Sequence, residues 1–173
     1  TDWLNVSAGL YFAVATKTNG TLWAWGGNSL GQLGLGNTTY YSSPKQVGAL
    51  TTWSKIATGQ EHVLAIKTDG TLWVWGTNGS GQLGTGNTFS YSSPKQLGAL
   101  NTWASVATQG SSGSTGHTLA TKTDGTLWGW GQNDYGQLGL GNLTSYSSPK
   151  QIGSLATWVG VFTNNKGSFA LKY

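Results

Sequence analysis

Cysteine, methionine and arginine are absent from all 173 residues, and proline occurs only three times. Without cysteine, disulfides, thiolate metal sites and cysteine nucleophiles are excluded, while the redox compartment stays open. Without methionine, Thr1 is not a start site, which leads us to expect a processed chain or a segment of something longer. Without arginine, the bidentate contacts that read base edges are missing. The formal charge of +4 rests on nine scattered lysines, so no specific nucleic-acid partner is expected. Charged residues make up 8% of the chain. No apolar run reaches the roughly 18 residues of a transmembrane helix, and no basic-then-apolar leader opens the chain. No membrane span is expected.

Against these gaps stand ten tryptophans and 28 glycines. Most belong to one stretch that occurs three times: K-T-N-G-T-L-W-A-W-G-G-N-S-L-G-Q-L-G-L-G-N from Lys17 to Asn37, and close copies from Lys67 to Asn87 and from Lys122 to Asn142. Trp3, Trp53, Trp103 and Trp158 mark the same period, lengthened once by a Gly/Ser-rich insert within Gln109–Gly116. We read that insert as a longer surface loop between two strands. The repeats run 1–50, 51–100 and 101–155, with a partial fourth at 156–173.

Each repeat predicts four short strands. In the second copy, Trp53–Ala57 and His62–Lys67 come first, and Asp69-Gly70 is a two-residue hairpin turn that needs positive φ. Asn19-Gly20 and Asp124-Gly125 take its place in the other copies. Thr71–Trp75 follows, with Trp73 and Trp75 on one face and Leu72 and Val74 on the other. Two apolar faces mean that both are covered, so the sheets stack. A Gly-rich segment leads to Ser92-Ser93-Pro94-Lys95-Gln96, where Pro94 suits the start of an edge strand. Four strands per 50 residues with stacked faces predict an all-β fold built of β-propeller blades.

The succession H-x-L-A-x-K-T-D-G-T-L-W-x-W-G-x-N-x-x-G-Q-L-G-x-G-N, then S-S-P-x-Q, resembles the repeat of the regulator of chromosome condensation family over essentially the whole chain. The resemblance implies a seven-bladed propeller, present here as about three and a half repeats, and is closest in style to Trp- and Gly-rich bacterial and phage forms. The founding activity, guanine-nucleotide exchange, rests on particular loops, a wedge and a basic tail, and nothing here matches the tail or the wedge. An ultraviolet-B photoreceptor branch uses a Trp-Arg pair at the positions of Gln60-Glu61 and Leu10-Tyr11, so photosensing is not implied. Because seven blades need about twice this length, we expect the chain not to close alone. A larger polypeptide or assembly would supply the remaining blades, with a self-closing dimer as the alternative.

Catalytic candidates are few. The acids are Asp2, Glu61, Asp69, Asp124 and Asp134. Two of them serve turns, which leaves too few for a carboxylate dyad or an oxygen-ligand metal cage. His62 and His117 share one repeat position with Phe12 and Gly167, so we read them as structural residues tucked against a neighbouring strand or loop. Gly110-Ser111-Ser112-Gly113 lacks nucleophile-elbow spacing, and the Gly-rich segments lack the Lys-Ser/Thr and helix of a phosphate loop. No cofactor, metal or catalytic set is expected. The candidate binding residues are Tyr41, Tyr91 and Tyr146, with Tyr40 and Phe89 nearby, and Lys45, Lys95 and Lys150. The tyrosines either stack on sugars or anchor a partner, or else pack over their own blade edge. The lysines either form an arc for an anionic glycan or acidic partner, or keep exposed edges soluble. Five N-x-S/T matches (Asn5, Asn19, Asn37, Asn78, Asn142) are expected from composition alone.

The reading is a non-enzymatic structural or binding module, virion-associated or extracellular, contacting protein or glycan. An intracellular exchange-factor-type propeller is the alternative.

Overall fold

A computed structural model describes residues 2–111, 115–164 and 166–172. Its described residues contain no helix. The strands are β1 (Trp3–Ala8), β2 (Phe12–Lys17), β3 (Leu22–Gly26), β4 (Tyr41–Gln46), β5 (Trp53–Thr58), β6 (His62–Lys67), β7 (Leu72–Gly76), β8 (Tyr91–Gln96), β9 (Trp103–Ser111), β10 (Thr115–Lys122), β11 (Leu127–Gly131), β12 (Tyr146–Gln151), β13 (Trp158–Thr163) and β14 (Ser168–Lys172). They form three four-stranded antiparallel sheets in chain order, β1–β4, β5–β8 and β9–β12, followed by the pair β13–β14. The first strands pack on one another along the chain, β1 on β5, β5 on β9 and β9 on β13. The first strand of each blade is therefore its inner edge and the fourth its outer edge.

The period of two explains the stacking. In β6, Val63 and Ala65 enter the core between the first and second blades, while Leu64 and Ile66 enter the core between the second and third. In β7, Trp73 and Trp75 join the first core, and Leu72 and Val74 join the second. Trp53 meets both tryptophans of its blade edge-on, with ring centroids at 6.0 and 6.1 Å. Trp75 is wholly buried, and its Nε1 donates across the junction to the Gln32 carbonyl at 3.0 Å. Trp130 donates in the same way to the Gln82 carbonyl at 2.9 Å. The indole lies against Gly34 in one junction and Gly84 in the next, where a Cβ would stand 2.8 and 2.7 Å from the ring nitrogen. That close approach requires the second glycine of G-Q-L-G.

The hairpin turn also positions a tryptophan. Asp69 Oδ1 accepts from the Thr71 amide at 2.9 Å and the Thr71 hydroxyl at 2.7 Å, and Thr71 Oγ1 accepts from Trp73 Nε1 at 3.0 Å. These bonds hold the Asp69 carboxyl below its ordinary value. Lys67 completes the motif, with Nζ 3.5 Å from the Trp73 ring centroid and 4.9 Å from that of Trp53. A buried ammonium is tolerated because two indole faces replace part of its hydration, although burial still lowers its pKa.

Two expectations are corrected. The insert lengthens a strand pair: Gln109, Gly110 and Ser111 pair with His117, Gly116 and Thr115, so only the segment 112–114 lies outside the described residues. Small residues allow this extension because the hairpin lies over its neighbour; a Cβ on Gly116 would stand 3.0 Å from the His62 ring. Pro94 lies inside β8 and does not start it. The register skips between Val74 and Gly76, whose partners are Lys95 and Tyr91, and Pro94 falls in that irregularity, where no ladder donor is needed.

Candidate functional site

In an antiparallel blade taken in chain order, the turn from first to second strand and the loop from third to fourth lie at one end. We call this end the loop rim. The K-T-D-G turns and the connections between blades lie at the other end. Each long loop hangs from a buried asparagine. Asn28 accepts from the Leu33 amide at 2.9 Å and donates to the carbonyls of Asn37 and Thr39 at 2.9 and 3.0 Å. Asn78 repeats this with Leu83, Asn87 and Phe89, and Asn133 with Leu138, Asn142 and Thr144. Gln32 Oε1 accepts from the Leu30 amide at 2.9 Å, so the turn is tied at a second point.

The candidate tyrosines stand at the starts of β4, β8 and β12, half-buried. Their hydroxyls accept from Asn37, Asn87 and Asn142 at 3.3, 3.1 and 3.3 Å. The candidate lysines lie four residues further on and exposed, each with Nζ over its own tyrosine ring: Lys45 at 5.5 Å, Lys95 at 4.4 Å and Lys150 at 5.3 Å. The six residues thus come together as three pairs on successive outer strands. Lys95 also donates to the Tyr91 hydroxyl at 3.0 Å, and this bond, with that from Asn87, lowers the Tyr91 pKa. Tyr40 and Phe89 point into solvent. The tethering role of these asparagines is not read from sequence, where Asn78 figures only as an N-x-S/T match; their recurrence two residues after W-x-W-G is the available signal.

His62 and His117 are buried. His62 Nε2 sits 2.6 Å from Thr108 Oγ1 of the next blade, and burial, aided by nearby His117, lowers its pKa to about 3. Burial lowers His117 too, against an opposing hydrogen bond with the Gly167 backbone. Both rings are neutral at physiological pH. Among the described residues no group of three or more His, Cys, Asp or Glu could hold a metal ion. Cavities of about 400 Å³ recur at equivalent places, one beside Trp53, Trp73 and Pro94 and the other beside Trp103, Trp128 and Pro149.

The family model described as "Regulator of chromosome condensation (RCC1) repeat" matches residues 19–66, 69–120 and 124–171. The chain belongs to the RCC1 repeat family. A second RCC1 repeat model matches 3–32, 53–82 and 107–137. In the first frame each RCC1 repeat runs from a K-T-D-G-type turn into the second strand of the next blade, so it spans a blade junction. Among similar proteins, the ultraviolet-B receptor UVR8 of Arabidopsis thaliana is 49% identical over 41 residues, covering 24% of this chain and 9% of the receptor. The protein RCC2 homolog of Xenopus laevis is 48% identical over 46 residues, covering 26% of this chain and 9% of that protein. Human WBSCR16 superposes with a TM-score of 0.82 at 25% identity over 98% of this chain and 44% of its own. Prp20p of Saccharomyces cerevisiae gives 0.81 at 22% over 99% and 44%. The chain therefore spans less than half the length of these propellers, and its architecture is about three and a half RCC1 blades.

Proposed function

We propose that this chain is a non-catalytic, protein-binding part of a propeller, working within a larger assembly or a longer chain. The observation that carries the reading is the outer edge, where the same Tyr–Lys pair is displayed three times in succession. Lys45, Lys95 and Lys150 form an arc of exposed cations suited to steering an acidic protein face into contact. Several other titratable groups are committed to structure: Asp69 and Asp124 hold turns, His62 meets Thr108, and Lys67 and Lys122 lie over tryptophans. Prp20p, a similar fold, is described by its binding to Gsp1p and histones, which supports protein partners for this architecture. A surface rich in Ser, Thr, Asn and Gly, with few charges and no cysteine, supports a place outside the cell or on a virus particle.

A sensor coated with an acidic polypeptide tests the arc. Retention at low salt should vanish in the combined Lys45→Glu, Lys95→Glu, Lys150→Glu variant, and equal retention of variant and parent would remove the arc as a contact. The exchange-factor alternative is decided by following nucleotide release from a small GTPase; acceleration by this chain would replace the present reading. A glycan array showing tight, selective binding would move the partner class from protein to sugar.

A further inference from the structure

The three repeats are close enough in sequence to be compared with one another, and their differences are not spread evenly. The outer strand reads Y-S-S-P-K-Q in all three although its second serine and its lysine are exposed each time. At the exposed sites of the K-T-D-G turns and of the connections between blades, on the opposite side, the residues change only between Asn and Asp, between Ala and Ser, or among Thr, Asn and Ala, and inside the connections Val47, Leu97 and Ile152 exchange one apolar residue for another. The loop rim differs at almost every exposed site. Ser29-Leu30 becomes Gly79-Ser80 and then Asp134-Tyr135, while Leu10-Tyr11 becomes Gln60-Glu61. Thr38-Thr39-Tyr40 becomes Thr88-Phe89-Ser90 and then Leu143-Thr144-Ser145. Exposure alone does not explain this, because Ser43, Ser93 and Ser148 and Lys45, Lys95 and Lys150 are exposed in every copy and stay constant.

The frame explains why the rim is free to differ. Each loop is held at its backbone by a buried asparagine and at the Asn37 side chain by the tyrosine hydroxyl. Among 38–40 and their counterparts, the Ser145 hydroxyl accepts from the Asn133 amide, whereas Tyr40, Phe89 and Leu143 are not needed to hold the loop. They are nonetheless not small polar fillers. Tyr11, Tyr40, Phe89, Tyr135 and Leu143 are each between 63% and 76% exposed, at a cost in solubility. Each blade carries one large apolar residue in its three-residue segment, in a different place each time. Aromatic anchors among Ser, Thr, Gly and Asp on a rigid frame are the composition of a recognition surface.

We infer that the loop rim is the specificity-determining face of this chain, and that its occupant is one folded protein bridging neighbouring blades. This rests on the protein-binding reading above and adds, to the outer-edge arc that steers a partner, the surface that selects it. Phe89 and Leu143 offer no polar handle, which disfavours a sugar, and the anchors span three blades, a breadth that suits a protein. The charge on the rim points the same way. Glu61 and Asp134 are the two carboxylates used neither by hairpin turns nor by the Asp2–Lys17 pair; both lie here, Asp134 accepting from Gln132 next to Tyr135, against one rim cation, Lys166, 4.6 Å from the Tyr135 ring centroid. An apolar patch bearing arginine would fit, its guanidinium stacking on Tyr or Phe and pairing with the acids.

The repeats supply the test. Tyr40→Ser, Phe89→Thr and Leu143→Thr each install the residue that the sister blades already carry, so together they make three identical Thr-Thr-Ser loops. First, Tyr40→p-benzoylphenylalanine and Phe89→p-benzoylphenylalanine are photo-cross-linked in material from the source of the protein, with Thr68 and Thr123 on the opposite side replaced likewise as controls. One and the same protein should be captured from both rim positions and not from the controls. With that protein purified, each single variant should weaken binding about tenfold and the triple variant by more than a hundredfold, at an unchanged melting temperature. Capture only from the control side, or triple-variant affinity within twofold of the parent, would overturn the rim assignment alone. A lowered melting temperature would make the apolar residues structural and overturn it as well. Adducts solely to a second copy of this chain would overturn the separate partner, and the absence of any protein adduct at all four positions would overturn the rim assignment, the binding-module reading being decided separately by the acidic-sensor experiment on the outer-edge lysines.

Discussion

The junction between the second and third blades and the junction between the third blade and the β13–β14 pair are built on the same register but differ in what seals them. In the former, Trp130 sits wholly buried with its indole nitrogen on the Gln82 carbonyl, and the core draws on Leu64, Ile66, Leu72, Val74 and Leu83. In the latter, two strands face the third blade, and the buried core consists of Leu119, Leu127 and Val161. The histidines follow the same division. His62 meets the Thr108 hydroxyl across the complete junction, whereas buried His117 has the Gly167 backbone in place of a threonine hydroxyl. A blade of this kind is therefore finished by the third strand of its neighbour, whose tryptophan closes the face that the first two strands leave open.

The largest effect should come from removing that seal. Trp75→Ala or Trp130→Ala should cost about 3–5 kcal/mol in urea denaturation, whereas Val161→Ala in the two-stranded junction should cost about 1–2 kcal/mol. Equal losses would break the comparison. Next comes the loop tether: Asn78→Ala leaves the Leu83 amide and two carbonyls without their partner, at a cost of about 2–3 kcal/mol, and should raise hydrogen exchange in the loop from Ser80 to Phe89 before elsewhere. A uniform rise over the blade would show that the loop is not separately held.

The histidines sharpen the contrast through pH. A His whose folded pKa is lowered stays neutral in the native state while the unfolded chain takes up a proton. Its stability contribution is therefore complete above the unfolded value of 6.5 and falls as pH drops from there towards the folded value, about 3 for His62. The slope is at most about 1.4 kcal/mol per pH unit per group. His62→Phe, which installs the residue found at Phe12 in the first blade, should flatten the acid limb between pH 6 and pH 4 (about the window set by the shift) more than His117→Phe does. Identical flattening would mean that the two sites are equally desolvated. The smallest effect is expected for Lys67→Met, within about 1 kcal/mol of the parent, because the lost cation–π contact is offset by relief of a buried charge. A loss well beyond that would give the ammonium a larger role than packing between two indoles.

Much of the blade is legible in the sequence. The strands, the Asp-Gly turns and the two-sided tryptophan and leucine faces follow from period and turn chemistry, which are local. The insert reads as a loop because Gly and Ser usually mark irregular chain; here their small size lets β9 and β10 run on above the His62 ring. The place of Pro94 is not legible in the same way, because an irregularity in pairing depends on the partner strand and leaves no mark in the strand itself.

What the sequence alone determined is the blade: a repeat short enough that each hairpin, each alternating face and each glycine turn is specified by neighbours a few residues away. What only the tertiary structure decided is which polar groups are already spoken for. Asn37 reaches the Tyr41 hydroxyl, Asn28 holds a loop nine and eleven residues ahead, and His62 meets Thr108 from the following blade. These pairings are set by how one loop folds back and how one blade lies on the next, distances in space that a repeating sequence spells identically at every copy and so cannot distinguish. Only once they are drawn do the frame and the free side chains of the loop rim separate.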